Sequence, residues 1–291
     1  MIEYQGVALM KASRTIIKGL MPICFLFAIN NTYANNLTVA AGQEASLPAG
    51  KHRIQYSRLI LKSGASLVIP ESYSGKRLIL RADHFEAEKG AKIHQYFSKR
   101  AAQGRHGSQG RQPDYGETGG PGGNGGVGVT GKPTVDLRLE LGIARLEAAT
   151  ILLRSQAGGH GGNGGKGGIG GGASCNQGED GGNGGRGGRG GAGGPPGPAG
   201  PLAVVWWPVG ADVPSFRSDQ PVGLTVVLQT GQGGWGGPAG QGGDGHGGRS
   251  CGWPVSDRTA GSPGPHGQPG QAWSGMGQYH SITFQRREMA P

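Results

Sequence analysis

Two periods alternate along this chain. From 35 to 103, apolar side chains recur at every second position, as Leu37/Val39, Ile54/Tyr56, Leu59/Leu61, Leu67/Ile69, Leu78/Leu80, Phe85/Ala87 and Ala91/Ile93. Gly42, Gly50, Gly64, Gly75 and Gly90 punctuate these runs. Short alternating runs separated by turns at roughly 8–12-residue spacing predict an all-β platform, either solenoid-like or a small sandwich. The brevity of the strands favours stacked rungs. Similar runs return at Val135–Leu141, Leu146–Leu153, Leu202–Trp207, Leu224–Leu228 and Ser281–Phe284, leaving 285–291 as a tail.

Between these later runs lie three Gly-rich tracts, at 104–131, 158–200 and 231–277, where the period is three. In GGHGGNGGKGGIGG the third positions are His160, Asn163, Lys166 and Ile169; in GGNGGRGGRGGAGG they are Asn183, Arg186, Arg189 and Ala192. Three residues per turn is the repeat of an extended left-handed helix that makes no internal hydrogen bonds. Its N–H and C=O groups must then pair with neighbouring chains, and any Cβ on a packed face would hold those chains apart. The expectation is a bundle of about six polyglycine-II helices arranged as three hairpins, interleaved with strands over 104–284. The hairpin tips fall at Arg111–Thr118, Ala173–Asp180 and Arg249–Ala260. Arms with one Gly per turn, 104–110 and 261–270, belong at the margins. Interior Gly opposes α-helix by about 1 kcal/mol each, so essentially no α-helix is expected in the mature chain.

Composition sharpens this picture. Gly contributes 64 of 291 residues, while hydrophobic residues reach 34% and aromatics 6%. Those figures argue against one large globular hydrophobic core, and strict collagen is excluded by the lack of a sustained Gly-x-y register. The tracts resemble collagen-like, glycine-rich-repeat secreted bacterial proteins. They are also similar in pattern to two families built from packed polyglycine-II helices: the receptor-binding tail-fibre adhesins of certain phages and the springtail antifreeze proteins. The resemblance implies a bundle that presents loops or faces; it carries over no catalytic or binding residue.

Residues 1–34 read as a cleaved secretory signal. Lys11, Arg14 and Lys18 precede the apolar run Leu20–Ile29, and Thr32-Tyr33-Ala34 suits cleavage before Asn35. Met10 competes with Met1 as the start. No later run approaches the ~20 apolar residues of a membrane span. The protein is therefore expected to be exported to the periplasm, cell surface or exterior. Net charge is 28 − 18 = +10 for the whole chain and 25 − 17 = +8 without residues 1–34. A basic exported chain is drawn to an anionic cell-surface polymer, a glycan or a partner protein. Nucleic-acid motifs are missing, so no specific nucleic-acid partner is expected. Cys24 leaves with the signal. Cys175 and Cys251 remain at corresponding places in tips two and three, which predicts a disulfide between them.

The chemistry-bearing patterns are weak. Gly126–Lys132 (GVGVTGK) imitates a phosphate-binding loop, but Pro133 stands where a magnesium-binding hydroxyl belongs, and a strand follows. His106, His160, His246 and His266 lack metal-ligand spacing. Asp180-Gly-Gly-Asn lacks the calcium repeat's regular Asp. No cofactor, metal or catalytic group is expected. The tips are richer, with Asp114, Tyr115, Glu179, Asp180, Arg249, Trp253, Asp257 and Arg258. Aromatic faces beside charges suit sugar or peptide recognition; equally, Trp253 could cover the disulfide and Tyr115 pack on its neighbour. Trp206, Trp207 and Trp273 read as core at the platform junction. The expected function is that of a non-enzymatic structural or adhesive protein, binding a surface, glycan or partner through its tips or basic faces. A passive envelope or matrix component is the alternative, with ice binding behind it because charged third positions spoil a flat face.

Overall fold

The computed structural model describes residues 34–210, 219–275, 277 and 281–287. The expected signal segment lies outside them except for Ala34. Six odd-numbered strands form one parallel sheet: β1 (Ala34–Val39), β3 (Arg53–Leu61), β5 (Arg77–Ala87), β7 (Asp136–Leu146), β9 (Leu202–Pro208) and β11 (Ile282–Arg286). Five even-numbered strands form the other: β2 (Glu44–Ser46), β4 (Ser66–Val68), β6 (Ala91–Gln95), β8 (Ala149–Arg154) and β10 (Leu224–Gln229). Each sheet keeps its strands in sequence order, so the chain climbs one rung for every odd–even pair. This is the connectivity of a parallel β-solenoid.

Alternation drives the stacking. In β5 the inward positions are Leu78, Leu80, Ala82, Phe85 and Ala87, and the step from Ala82 to Phe85 coincides with an irregular register against β7. Inward residues form ladders up the solenoid, such as Leu80 to Leu139 to Val204 and Ala82 to Leu141 to Trp206. Each fully buried Leu in these ladders contributes roughly 1.5–3 kcal/mol. The corner between the sheets repeats as well. Gly42, Gly64 and Gly90 take positive φ and stack on one another, and each N–H bonds to a carbonyl on the next rung.

The expectation of a polyglycine-II helical bundle is corrected here. Among the described residues, regular structure consists of the two parallel sheets and one short 3-10 turn at Glu71–Tyr73, and no helix is assigned within the three tracts. The all-β part of the expectation agrees with the structure. Spacing in threes records where neighbouring backbones exclude a Cβ; it does not by itself specify a helix. The solenoid also runs the length of the described chain, through β7 to β11, and β11 takes in two residues of the expected tail.

Each tract leaves the end of an even strand, doubles back and re-enters on an odd strand. The outgoing arms (101–111, 156–172, 231–248) bond side by side. Gly104, Gly107 and Gly110 donate to the carbonyls of His160, Asn163 and Lys166 at 2.8 Å, and Gly161 donates to Trp235 at 2.8 Å. The return arms (119–135, 181–201, 260–274) form a second layer. Gly119, Gly122 and Gly125 donate to Asn183, Arg186 and Arg189 at 2.8 Å, and Gly190 donates to Gln268 at 2.8 Å. Bonds such as Gly188 to Gly165 and Gly240 to Gly188, both 2.8 Å, join the layers. The arm 104–110 bonds to two neighbouring arms, as does 261–270; the arms 158–172 and 181–200 each bond to four.

Buried polar side chains anchor the roots of the tracts. Gln95, at the end of β6, accepts from Val135 N–H at 2.8 Å and donates to Pro70 O at 3.2 Å. Ser155, after β8, donates to Gly197 O and accepts from Gly231 N–H at 2.8 Å, joining tracts two and three. Arg100 reaches Gly158 O and Gly233 O. Buried groups left without such partners would cost about 1–3 kcal/mol each.

Candidate functional site

The layered arms carry three tips, and the second tip is central. It closes through a two-residue antiparallel bridge in which Ser174 N–H donates to Glu179 O at 2.9 Å and Glu179 N–H returns to Ser174 O at 3.0 Å. Gly178 makes the turn at φ +75°. The third tip closes likewise, Arg249 against Arg258, with N–H···O distances of 3.1 and 2.8 Å.

Both outer tips are fastened to the central one. Gly116 N–H donates to Gly172 O at 2.9 Å, and the Glu179 side chain lies directly against Gly116, where a Cβ would collide with it. The Tyr115 ring lies over Gly172, 3.1 Å from where a Cβ there would sit. On the other side, Asp180 Oδ1 accepts from Thr259 N–H at 2.8 Å, Arg258 approaches Gly178, and Cys175 is disulfide-bonded to Cys251 with a Cα–Cα distance of 5.5 Å. The three tips, which carry the eight residues singled out in the sequence, are thus fastened to one another as a ledge.

Asp257 organises the third tip. Its Oδ1 accepts from Cys251 N–H at 2.8 Å and from Ser250 Oγ at 2.9 Å. These two bonds, the backbone one foremost, hold its carboxyl below the ordinary value of 3.8. The Cys251 loop is therefore fixed by the disulfide on one side and by a charged acceptor on the other. Trp253 follows two residues later and is 97% exposed. It does not cover the disulfide. Tyr115 does pack on its neighbour while remaining 52% exposed. The eight tip residues carry four carboxylates and two guanidinium groups, so their balance is −2, opposite in sign to the chain as a whole.

The other candidates fall elsewhere. His106, His160 and His266 each use Nδ1 to accept a backbone N–H from an adjoining arm, at 3.1, 3.0 and 3.2 Å. His246 Nδ1 lies 3.0 Å from Gly247 O. Among the described residues no group of three or more His, Cys, Asp or Glu could hold a metal ion. The loop Gly126–Lys132 cannot cradle a phosphate through its glycines, because Gly126, Gly128 and Gly131 N–H already bond to Arg105, Ala192 and Pro195 carbonyls. Trp206 is fully buried in the solenoid core, Trp207 is nearly so beneath Arg81, and Trp273 packs on Gly233. No helix among the described residues is long and apolar enough to cross a membrane.

Sequence reasoning missed the side chains that cap the arms. Asn124 Oδ1 accepts from Arg189 N–H at 2.9 Å and Asn183 Oδ1 from Ser262 N–H at 2.7 Å. The signal was present: His and Asn recur at third positions, where a short acceptor can reach the N–H of the adjoining arm.

No protein-family model matches the chain. No curated protein matches it either. Among solved structures, the chain has a likeness to the springtail antifreeze protein from Granisotoma rainieri, a nine polyproline type II helical bundle whose crystal waters match the ice lattice. Identity is 22%, over 64% of this chain and 99% of that one, and the TM-score is 0.16. A likeness at that score carries no argument about fold or function.

Proposed function

We propose that this is an exported, non-enzymatic adhesive protein that binds a glycan or a partner protein through the ledge of tips. The solenoid acts as the base, the layered Gly-rich arms as a stiff spacer, and the tips as the contact surface. The observation that carries this reading is Trp253. A Trp so fully exposed gains nothing from its own fold, and it stands on a loop fixed by the Cys175–Cys251 bond and by Asp257. Aromatic anchors on preorganised loops contribute disproportionately to binding, because ordering them on association costs little entropy. The carboxylates and guanidinium groups beside Trp253 offer hydrogen bonds to sugar hydroxyls or to peptide groups. The pairing of the two cysteines beyond residue 34 and the signal-like opening support export.

The test replaces 111–118, 173–180 and 249–260 with short Gly-Ser turns and compares binding to glycan arrays and whole cells. The reading requires binding by the intact mature chain and its loss in the replaced one.

A further inference from the structure

We propose that the outward face of the return-arm layer is a second binding site, a groove for an anionic polysaccharide gripped by Arg186 and Arg189. The groove has a volume of about 220 Å³ and is lined by Pro121, Asn124, Arg186, Arg189 and Gln268 over a floor of glycines. Its geometry follows from the packing of the arm 181–200. Gly184, Gly185, Gly187, Gly188 and Gly190 are buried against neighbouring backbones, so Asn183, Arg186 and Arg189 are left exposed on one side. The two arginines therefore stand on the same face, separated by bare backbone.

Charge selects the ligand. The stretches 119–135, 181–201 and 260–274, which make up this layer, contain Lys132, Arg186, Arg189 and His266 and no Asp or Glu. The opposite layer neutralises part of its charge internally, with Lys166 Nζ 2.9 Å from Asp244 Oδ2. No such pair forms at Arg186 or Arg189 among the described residues. A guanidinium fork matches carboxylate and sulfate oxygens in two-point geometry. The floor's N–H groups are already spent, Gly122 on Arg186 O, Gly187 on Pro265 O, Gly188 on Gly165 O and Gly267 on Gly240 O, so the oxyanions must be held by the side chains. The glycine floor presents no side chain, so an elongated chain can lie along it. None of the lining residues is aromatic, and single-stranded nucleic acid is normally held on stacking aromatic platforms. The observations favour an acidic polysaccharide.

The site uses no tip residue, so its test separates from that of the adhesive ledge. The mature chain is titrated at near-physiological salt with polygalacturonate (carboxylate), dextran sulfate (sulfate), neutral dextran and oligo-dT. Three variants are compared: Arg186→Gln/Arg189→Gln, the charge-matched Arg105→Gln/Lys166→Gln on the opposite layer, and the tip-replaced chain. The proposal expects binding to one or both acidic polysaccharides and none to neutral dextran; which polymer binds identifies the oxyanion. It expects a loss of at least about tenfold in the first variant and under about threefold in the other two. Equal losses in the two charge-matched variants would overturn it, as would tighter binding of oligo-dT than of either acidic polysaccharide, or no binding to either. A loss on tip replacement alone would overturn the groove and leave the ledge standing.

Discussion

Cys175 and Cys251 join the second tip to the third across 76 positions of sequence, and each lies beside a backbone bridge that closes its own tip. The bond therefore staples two loops that are already shaped. Removing it should destabilise the layered arms more than the solenoid. In the chain-entropy description, closing a loop of this length contributes about 4 kcal/mol. Denaturant unfolding of Cys175→Ala/Cys251→Ala should show a loss of that order. Hydrogen exchange should rise first at the tips and arms, with β3, β5 and β7 still protected. Exchange that rises uniformly would show the bond acting on the whole chain.

Glycine at the packed positions is required by space. A Cβ at Gly188 would collide with Gly123 and Gly122, whereas at Gly247 it would meet nothing within 4 Å. Gly188→Ala should destabilise by roughly 1–3 kcal/mol or more, since backbone cannot move aside as a flexible side chain does. Gly247→Ala should stay within about 0.5 kcal/mol of the parent. Thermal melts of the two variants check the contrast, and a similar shift in both would contradict the close approach of the arms.

Acid should loosen the third tip. Asp257 has a folded-state pKa depressed below 3.8 by the Cys251 N–H and Ser250 hydroxyl. A depressed carboxyl pKa gives stability that is fully present above the unfolded value and is lost as pH falls through the folded one. The Cys251 amide resonance should hold its position from neutral pH down to about pH 4, then titrate as pH falls further. Asp257→Asn should remove that titration. A Cys251 amide unmoved at pH ~2 would show that the loop is held by the disulfide alone.

The strands were legible because alternation at Leu78/Leu80 or Ala91/Ile93 directly reports a buried face. Their pairing was not, since a one-sided strand reads alike in a parallel or an antiparallel sheet. The fate of the glycines was half legible. Spacing in threes marks where Gly165 and Gly188 meet other backbones, but it led to a helical bundle, which the two parallel sheets replace as the organising structure. The cysteine pair was legible from its placement in two matched tips. Trp253 was not, because exposure and coverage of a nearby disulfide leave the same trace in sequence. Nor was the Gln95 root, whose 0% exposure depends on partners forty and twenty-five positions away.

The central claim is that the tips bind. Its most direct test is equilibrium binding to whole cells and to the glycans an array selects, made in the Arg186→Gln/Arg189→Gln background that silences the groove, of the chain from residue 35, the tip-replaced chain and Trp253→Ala. The account predicts that tip replacement abolishes binding and that Trp253→Ala alone weakens it by about thirtyfold, the loss of a dominant aromatic anchor. Undiminished binding by the tip-replaced chain, or binding that disappears in all variants alike once salt is raised to about 1 M, would contradict it.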